Sequence, residues 1–292
     1  MKIAENWKDY QIIATGDGEK LERWGNVKLL RPDPQVIWHA SKKLKNEKDL
    51  NAHYIRESTG GGYWNNLKPM PAEWQIQYGE LKFLIKPMGF KHTGLFPEQA
   101  VNWDLMINLI KSANRPIKVL NLFGYTGGAT VACTYAGAEV THVDASKGMV
   151  ERCKQNIKLS GLEKMPIRYI VDDCAKFVER EIKRGKTYDA IIMDPPSYGR
   201  GPSGEMWKIE NNLCDFVALC SKVLSKNPLF VLINSYTTGL QPMVLKNILN
   251  MNFKGGQTEA YEVGIKTSEE GITLPCGASG IKVFSEEKTC KL

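Results

Sequence analysis

The chain has 292 residues, 42% of them hydrophobic and 24% charged, an ordinary globular composition that can bury one large or two modest cores. A formal net charge of +7 and a pI near 8.9 admit a polyanionic partner without requiring one. No apolar run approaches the roughly eighteen residues that span a bilayer, and the mixed, charged start Met1 to Tyr10 is unlike a secretory signal, so no membrane association and a cytoplasmic location are expected. The seven cysteines form no C-x-x-C pair, and His39, His53, His92 and His142 lie far apart. They predict core thiols and structural imidazoles, and no metal site.

Residues 1–90 are predicted to form a small β-rich domain. Short β-like runs fall at Tyr10–Thr15, Val27–Leu30 and Glu73–Ile85, interrupted by Gly16-Asp-Gly18, Arg31-Pro-Asp-Pro34 and Ser58-Thr-Gly-Gly-Gly62. The clearest hairpin turns at Gly79-Glu80, between two alternating runs. Lys42, Lys43, Lys45 and Lys48 make a local basic cluster that fits a solvated helix face and an RNA phosphate track equally well.

Residues 91–292 are predicted to form a second domain. A transition at about 87–100 leads into a helix over Val101–Ser112, and from Ile117 strand and helix patterns alternate with short connections, the signature of a parallel α/β sheet. Strands are expected at 117–123, 139–143, 167–172, 188–193 and 229–234, with helices at 128–136, 146–160, 174–185 and 207–226 between them. The last of these carries Leu213, Phe216, Val217, Cys220, Val223 and Leu224 on one stripe. A helix near 240–251 and strands at 258–265 and 279–285 then suggest an antiparallel hairpin at the sheet's edge.

The chemistry gathers at the ends of these strands. The first runs through Val119-Leu-Asn-Leu-Phe-Gly-Tyr-Thr-Gly-Gly-Ala-Thr130 into a glycine-rich turn and a helix, and Asp144 ends the second strand twenty residues after Gly124. That interval brings a carboxylate to a ribose held at the first turn. The glycines do not spell G-x-G-x-x-G, and no G-K-[ST] follows, so neither a pyrophosphate nor a Walker-type phosphate is cradled. A helix start offering backbone N–H groups without a phosphate cradle suits a small carboxylate. S-adenosyl-L-methionine combines such a carboxylate with a ribose and an adenine, and is the expected cofactor.

Asp144 is the expected ribose acceptor, with Ser146 as the helix cap beside it. At the end of the third strand Asp173 is placed as the acceptor for an adenine amino group, and Asp172 as a solvated or capping residue. Asp194-Pro195-Pro196-Ser197-Tyr198 ends the fourth; its prolines stiffen the backbone and expose carbonyls, Asp194 can accept from an exocyclic amine, and Tyr198 can stack on a base. Asp194, Pro195 and Tyr198 are the candidate catalytic residues. The glycine-rich run 199–205 reads either as a loop closing over substrate, with Arg200 contacting phosphate or base, or as an ordinary surface loop.

At these residues the chain resembles the class I S-adenosylmethionine-dependent methyltransferases, specifically the bacterial group related to large-subunit ribosomal RNA methyltransferases. The resemblance extends from about Tyr10 to the end. It is most specific at Lys91-His-Thr-Gly-Leu-Phe-Pro-Glu-Gln99, Asn121-Leu-Phe-Gly-Tyr-Thr-Gly-Gly128, Val143-Asp-Ala-Ser146 and Asp194-Pro-Pro-Ser-Tyr-Gly-Arg-Gly201. It implies a Rossmann-like α/β fold with a seven-stranded sheet in the order 3-2-1-4-5-7-6. It also implies a cofactor enclosed by Thr93, Phe96 and Gln99 and bound by Asn121, Phe123, Gly124, Thr126, Gly128, Asp144, Ser146, Asp173 and Asp194. Relatives that methylate carbon-5 of cytosine use a cysteine nucleophile after strand four or five. Here those places read Asp194-Pro-Pro-Ser197 and Asn234-Ser235-Tyr236, and Cys276 is expected to be a structural thiol. The expected activity is therefore direct methyl transfer to a nitrogen or oxygen of RNA, ribosomal RNA first, with the β-rich domain gripping it. The alternatives are a protein or small-molecule methyltransferase and a non-catalytic binding module.

Overall fold

The computed structural model describes residues 1–57, 61–200, 206–269 and 271–284. Ser58–Gly60 of the first glycine-rich interruption, Gly201–Glu205 and the side chain of Arg200 in the second, and Cys290 lie outside the described residues. The chain divides into two compact units, one made of Met1–Val101, Gln155–Ser160 and Val263–Cys276, the other of Asn102–Lys154, Gly161–Glu262 and Gly277–Leu292.

The first unit holds β1 (Lys2–Ile3), β2 (Tyr10–Gly16), β3 (Glu19–Trp24), β4 (Val27–Pro32), β5 (Leu50–Arg56), β6 (Gly62–Asn66), β7 (Trp74–Tyr78) and β8 (Leu81–Ile85). Strands β2 to β6 form one sheet in sequence order, antiparallel except for the parallel pair β4–β5, and β7–β8 form a separate hairpin. Asp17 and Gly18, both at positive φ (51° and 81°), turn β2 into β3 as a two-residue hairpin loop requires. The hairpin at Gly79 forms as predicted. Strands β3, β5 and β6 were not predicted. In β3 the inward alternation is broken by Glu22, which is wholly buried, and β6 carries polar edge residues. Glu22 lies inside because Arg31 grips it through Nε (2.6 Å) and Nη2 (2.7 Å) while the Tyr10 hydroxyl donates to it at 2.8 Å. Of the lysine cluster only Lys45 lies on a helical turn, the three-residue 3-10 turn Leu44–Asn46, so the cluster forms no helix face. Its Lys42 pairs with Glu269 at 2.5 Å.

After α1 (Ala100–Ser112), the second unit runs β9 (Lys118–Leu122), α2 (Gly128–Tyr135), β10 (Glu139–Asp144), α3 (Lys147–Leu159), β11 (Ile167–Val171), α4 (Cys174–Lys183) and β12 (Ala190–Met193). It continues with β13 (Tyr198–Arg200), β14 (Met206–Lys208), α5 (Ile209–Ser221), β15 (Phe230–Ser235), α6 (Pro242–Asn252), β16 (Gln257–Lys266) and β17 (Thr273–Val283). The sheet order is β1-β16-β17-β15-β12-β9-β10-β11. Without β1 this is the implied 3-2-1-4-5-7-6, with β17 antiparallel to β15, and β1 is an added edge strand parallel to β16. The central strands β12 and β15 are buried on both faces and read as continuous apolar runs, AIIM in β12 and FVLI in β15. Phe177 and Val178 of α4, Phe216 and Val217 of α5 and Leu245 and Leu249 of α6 pack into one core with Leu120, Leu122, Ile191, Val231 and Ile233.

One helix and one strand differ from expectation at their boundaries. The helix predicted over 207–226 spans Ile209–Ser221: Met206–Lys208 pair with Tyr198–Arg200 as a hairpin before it, and it ends five residues early, leaving Val223 and Leu224 beyond it. The last strand starts at Thr273, six residues before the predicted 279, since β15 and β16 flank it and supply its ladder.

Candidate active site at the carboxyl ends of the central strands

In the second unit the chain moves outward from β9 to β10 and β11, then returns to lay β12 on the other side of β9. The reversal leaves a crevice beyond the carboxyl ends of β9 and β12, where open α/β sheets take their ligands. The residues that follow β9, β10 and β12 therefore define the site.

The loop after β9 has an unusual backbone. Phe123 (φ 54°) and Tyr125 (φ 50°) both lie in the left-handed region, at roughly 1–3 kcal/mol each for a non-glycine residue. Between them Gly124 donates its N–H to the Val143 carbonyl at 3.0 Å, and Gly127 (φ 86°) caps α2. A Cβ on Gly124 would stand 2.3 Å from the His142 ring, and one on Gly127 would stand 2.2 Å from Cys153 Sγ. The loop is glycine-rich because it lies directly on buried side chains. The helix it opens presents first-turn N–H groups that have no intrahelical partner.

Beneath the loop runs a buried polar chain that the sequence analysis missed. Asn121 Nδ2 donates to Thr130 Oγ1 at 2.9 Å, and Thr130 Oγ1 meets His142 Nδ1 at 2.9 Å. Thr130 and His142 are fully buried and Asn121 nearly so. Burial pushes the His142 pKa down to about 4, only slightly offset by the Tyr125 backbone. The imidazole is therefore neutral near pH 7. Thr130 Oγ1 accepts from Asn121 and shares one further hydrogen bond with His142 Nδ1, whose donor is set by the imidazole tautomer. The signal in the sequence was a histidine and a threonine inside two apolar runs, which alone does not pair them.

Asp144 closes β10. Its Oδ2 accepts the Tyr125 N–H and its Oδ1 the Ser146 N–H, both at 2.8 Å. Burial raises its pKa, and those two N–H groups pull it partly back. Each oxygen keeps a further acceptor site, the chemistry a vicinal diol requires. Ser146 takes the cap position of α3, its carbonyl accepting from Met149 and Val150 at 3.1 Å.

At the end of β11 the cap belongs to the other aspartate. Asp173 accepts the Lys176 N–H at 2.9 Å and caps α4, whereas Asp172 pairs with Arg180. Asp173 directly precedes the first helical residue, so its short side chain reaches the third N–H of the helix; Asp172 is one residue too early.

Asp194 follows β12, its N–H directed at the Leu122 carbonyl (3.4 Å), which sets it beside the start of the glycine loop. Pro195 is buried, whereas Pro196, Ser197 and Tyr198 are exposed. Of the two proline carbonyls expected to face a ligand, that of Pro196 accepts the Trp207 indole N–H at 2.6 Å. Trp207 also packs on Phe123 (5.5 Å between centroids) and Phe216 (5.6 Å), joining the arm after β12 to the loop after β9. Ser197 Oγ and Thr237 Oγ1 lie 2.7 Å apart. Tyr198 opens β13 at 51% exposure.

Thr93, Phe96 and Gln99 belong to the first unit. Thr93 is buried, and its hydroxyl meets no hydrogen-bond partner among the described residues, which a ligand would explain. Phe96 stands edge-on to His92 at 6.1 Å, and Gln99 is buried. The segment is anchored within that unit by Arg31 Nη1 on the Lys91 carbonyl (2.8 Å) and Trp7 Nε1 on the Pro97 carbonyl (2.8 Å). Burial, with Lys20 and Arg31 nearby, lowers the Lys91 pKa to about 8. Cys276 is half-buried, its thiol 3.5 Å from the Leu274 carbonyl, and desolvation raises its pKa, the opposite of what a nucleophile needs. Asn234 is bound to Asn102 (3.1 Å) and Ser279 (2.9 Å) as core structure. Among the described residues no cluster of His, Cys, Asp or Glu could hold a metal ion, and no helix is long and apolar enough to cross a membrane.

A model of the S-adenosylmethionine-dependent methyltransferases matches residues 22–216. The chain belongs to that family. This methyltransferase is 33% identical to the solved SAM-dependent methyltransferase from Agrobacterium tumefaciens, with a TM-score of 0.91 over 97% of this chain and 93% of that one. A structure provisionally described as a SAM-dependent methyltransferase from Streptococcus mutans shares the fold at a TM-score of 0.73 and 17% identity, over 96% of this chain and 76% of its own. Ribosomal RNA large subunit methyltransferase K/L of Shewanella frigidimarina is 31% identical over 52% of this chain and 20% of that protein. Ribosomal RNA large subunit methyltransferase I of Klebsiella pneumoniae is 37% identical over 44% of this chain and 31% of that protein. The chain thus spans about a fifth to a third of the length of these curated relatives. The cofactor of the family is S-adenosylmethionine, and the residues present fit it. Asp144 keeps acceptor positions for a ribose diol, and the start of α2 suits a carboxylate.

Proposed function

We propose that this methyltransferase acts on RNA, ribosomal RNA first, by direct transfer to a nitrogen or oxygen, in the cytoplasm. The observation that carries the transfer chemistry is the Asp144 carboxylate, anchored by the Tyr125 and Ser146 N–H groups across from the strained Phe123–Gly127 loop. The names of the ribosomal RNA methyltransferases it resembles support RNA as the acceptor. When bound, S-adenosylmethionine supplies a sulfonium-borne methyl group open to in-line displacement. Asp144 and the α2 start would hold the ribose and carboxylate ends, with Asn121, Phe123, Gly124, Thr126, Gly128 and Ser146 shaping that floor. Thr93, Phe96 and Gln99 would enclose the cofactor, and Asp173 would accept from the adenine through an oxygen its cap bond leaves over.

Asp194 and the Pro195 carbonyl would accept hydrogen bonds from an exocyclic amine, orienting its lone pair, and Tyr198 would stack on the acceptor base. No covalent help is required, in keeping with Ser197 after β12 and the raised Cys276 thiol. The test is incubation with labelled cofactor and total RNA from a strain lacking the protein, followed by mapping of the modified nucleoside. Label in one ribosomal RNA position, lost in Asp194→Ala with folding intact, is the expected result. Label in protein or small molecules alone would overturn the RNA reading, and full activity of Asp194→Ala would remove that residue from the site.

A further inference from the structure

The first unit carries a groove of about 610 Å³ that the cofactor chemistry does not use. Trp64 of β6 lines it. Its indole N–H donates to the Met88 carbonyl at 2.8 Å, and its ring stands edge-on to Tyr54 at 5.4 Å, so the aromatic wall is fixed in place. Asn66, two residues on, projects from the same face of the strand, is exposed, and makes no side-chain hydrogen bond among the described residues. The opposite wall is the loop bearing Met70 and Pro71. Leu67 and Lys68 donate their N–H groups to the Asn51 carbonyl (2.8 and 3.0 Å), and Asn51 Nδ2 donates to the Pro69 carbonyl (3.2 Å). The groove is therefore preformed. It falls in the size range of small-ligand sites, and no carboxylate lines it.

Charge selects the occupant. Lys68 stands at the rim, held only by the Lys48 carbonyl (2.6 Å) and exposed Asp49 (3.2 Å), an ion pair of little strength. Residues 42–91 hold nine lysines and arginines against five acidic residues. A fixed aromatic ring, an uncommitted amide with both donor and acceptor, and a rim lysine are the three groups that bind stacking face, base edge and phosphate of an unpaired nucleotide. Resting on the RNA reading above, we infer that this groove seats one unpaired nucleotide of the substrate RNA, with the base on Trp64, its edge at Asn66 and an adjoining phosphate on Lys68.

The test measures anisotropy of labelled single-stranded octaribonucleotides and of a duplex with the full chain, beside methylation of total RNA. Trp64→Leu is expected to weaken single-strand binding roughly ten-fold. Asn66→Ala should flatten the preference among bases, and Lys68→Ala should lower the slope of log K against log salt by about 0.7. Affinity for S-adenosylhomocysteine stays unchanged in all three. Should Trp64→Leu fail to fold, the two exposed variants carry the test. RNA methylation by the parent chain with equal oligonucleotide affinity in every folded variant overturns the groove and leaves the RNA reading standing. Neither methylation nor oligonucleotide binding by the parent chain overturns both, and tighter binding of duplex than of single strand overturns the groove.

Discussion

Replacing Gly127 by alanine tests whether the glycine loop is held open by contact as well as by backbone conformation. The φ of 86° costs an alanine roughly 1–3 kcal/mol. Its Cβ would also stand 2.2 Å from Cys153 Sγ and 2.9 Å from Cys153 Cβ, inside a packed core where overfilling costs about 1–3 kcal/mol. Gly127→Ala should therefore lose roughly 2–6 kcal/mol in urea unfolding, the sum of those two ranges. Cys153→Ala removes the sulfur but leaves its Cβ, so the double variant should recover about 1 kcal/mol or more of the Gly127→Ala loss as coupling, while the conformational part persists. Calorimetry with S-adenosylhomocysteine on whichever variants stay folded reads the consequence for the start of α2: weaker uptake in Gly127→Ala, partly restored in the double variant. Strict additivity of the two substitutions would refute the contact, and full parental stability of Gly127→Ala would refute the argument altogether.

His142 has a folded pKa of about 4, below its unfolded value near 6.5, so the stability it supplies is complete above pH 6.5 and drains away as pH falls towards 4. The loss is roughly 3 kcal/mol and should vanish from the urea-derived pH profile of His142→Gln. Asp144, whose carboxyl is raised, works in the opposite sense, so the difference between the two profiles is the quantity to read. Arg31→Ala takes both guanidinium hydrogen bonds from the wholly buried Glu22, leaving it the Tyr10 hydroxyl and Lys20 at 3.9 Å, and should cost about 3–5 kcal/mol, with partial recovery on adding Glu22→Gln; a loss below about 1 kcal/mol would contradict the pair's geometry. Asp173→Ala should cost about 1 kcal/mol by removing the α4 cap, more than Asp172→Ala, which removes a partly exposed ion pair and the acceptor of the Asp173 N–H; the reverse order in thermal melts would reinstate Asp172 as the cap.

Local pattern carried much of the fold. The central strands β9, β10, β12 and β15 were read within about two residues, because each is short and largely buried. The Gly124 to Asp144 interval located both halves of the candidate cofactor site, since a βαβ unit fixes how far apart in sequence two neighbouring strand ends can lie.

What the sequence withheld was pairing between groups remote along the chain. Nothing local links Thr130 to His142, Trp207 to the Pro196 carbonyl, or Glu22 to Arg31. A buried polar side chain looks like an exposed one until its partner is known, which is why β3 was missed and Trp207 was placed in a helix. Sequence alone determined which strand ends carry carboxylates, and the resemblance supplied the order of strands. Only the tertiary structure decided which of those carboxylates are already engaged by backbone N–H groups, because hydrogen bonding depends on distances that periodicity does not encode.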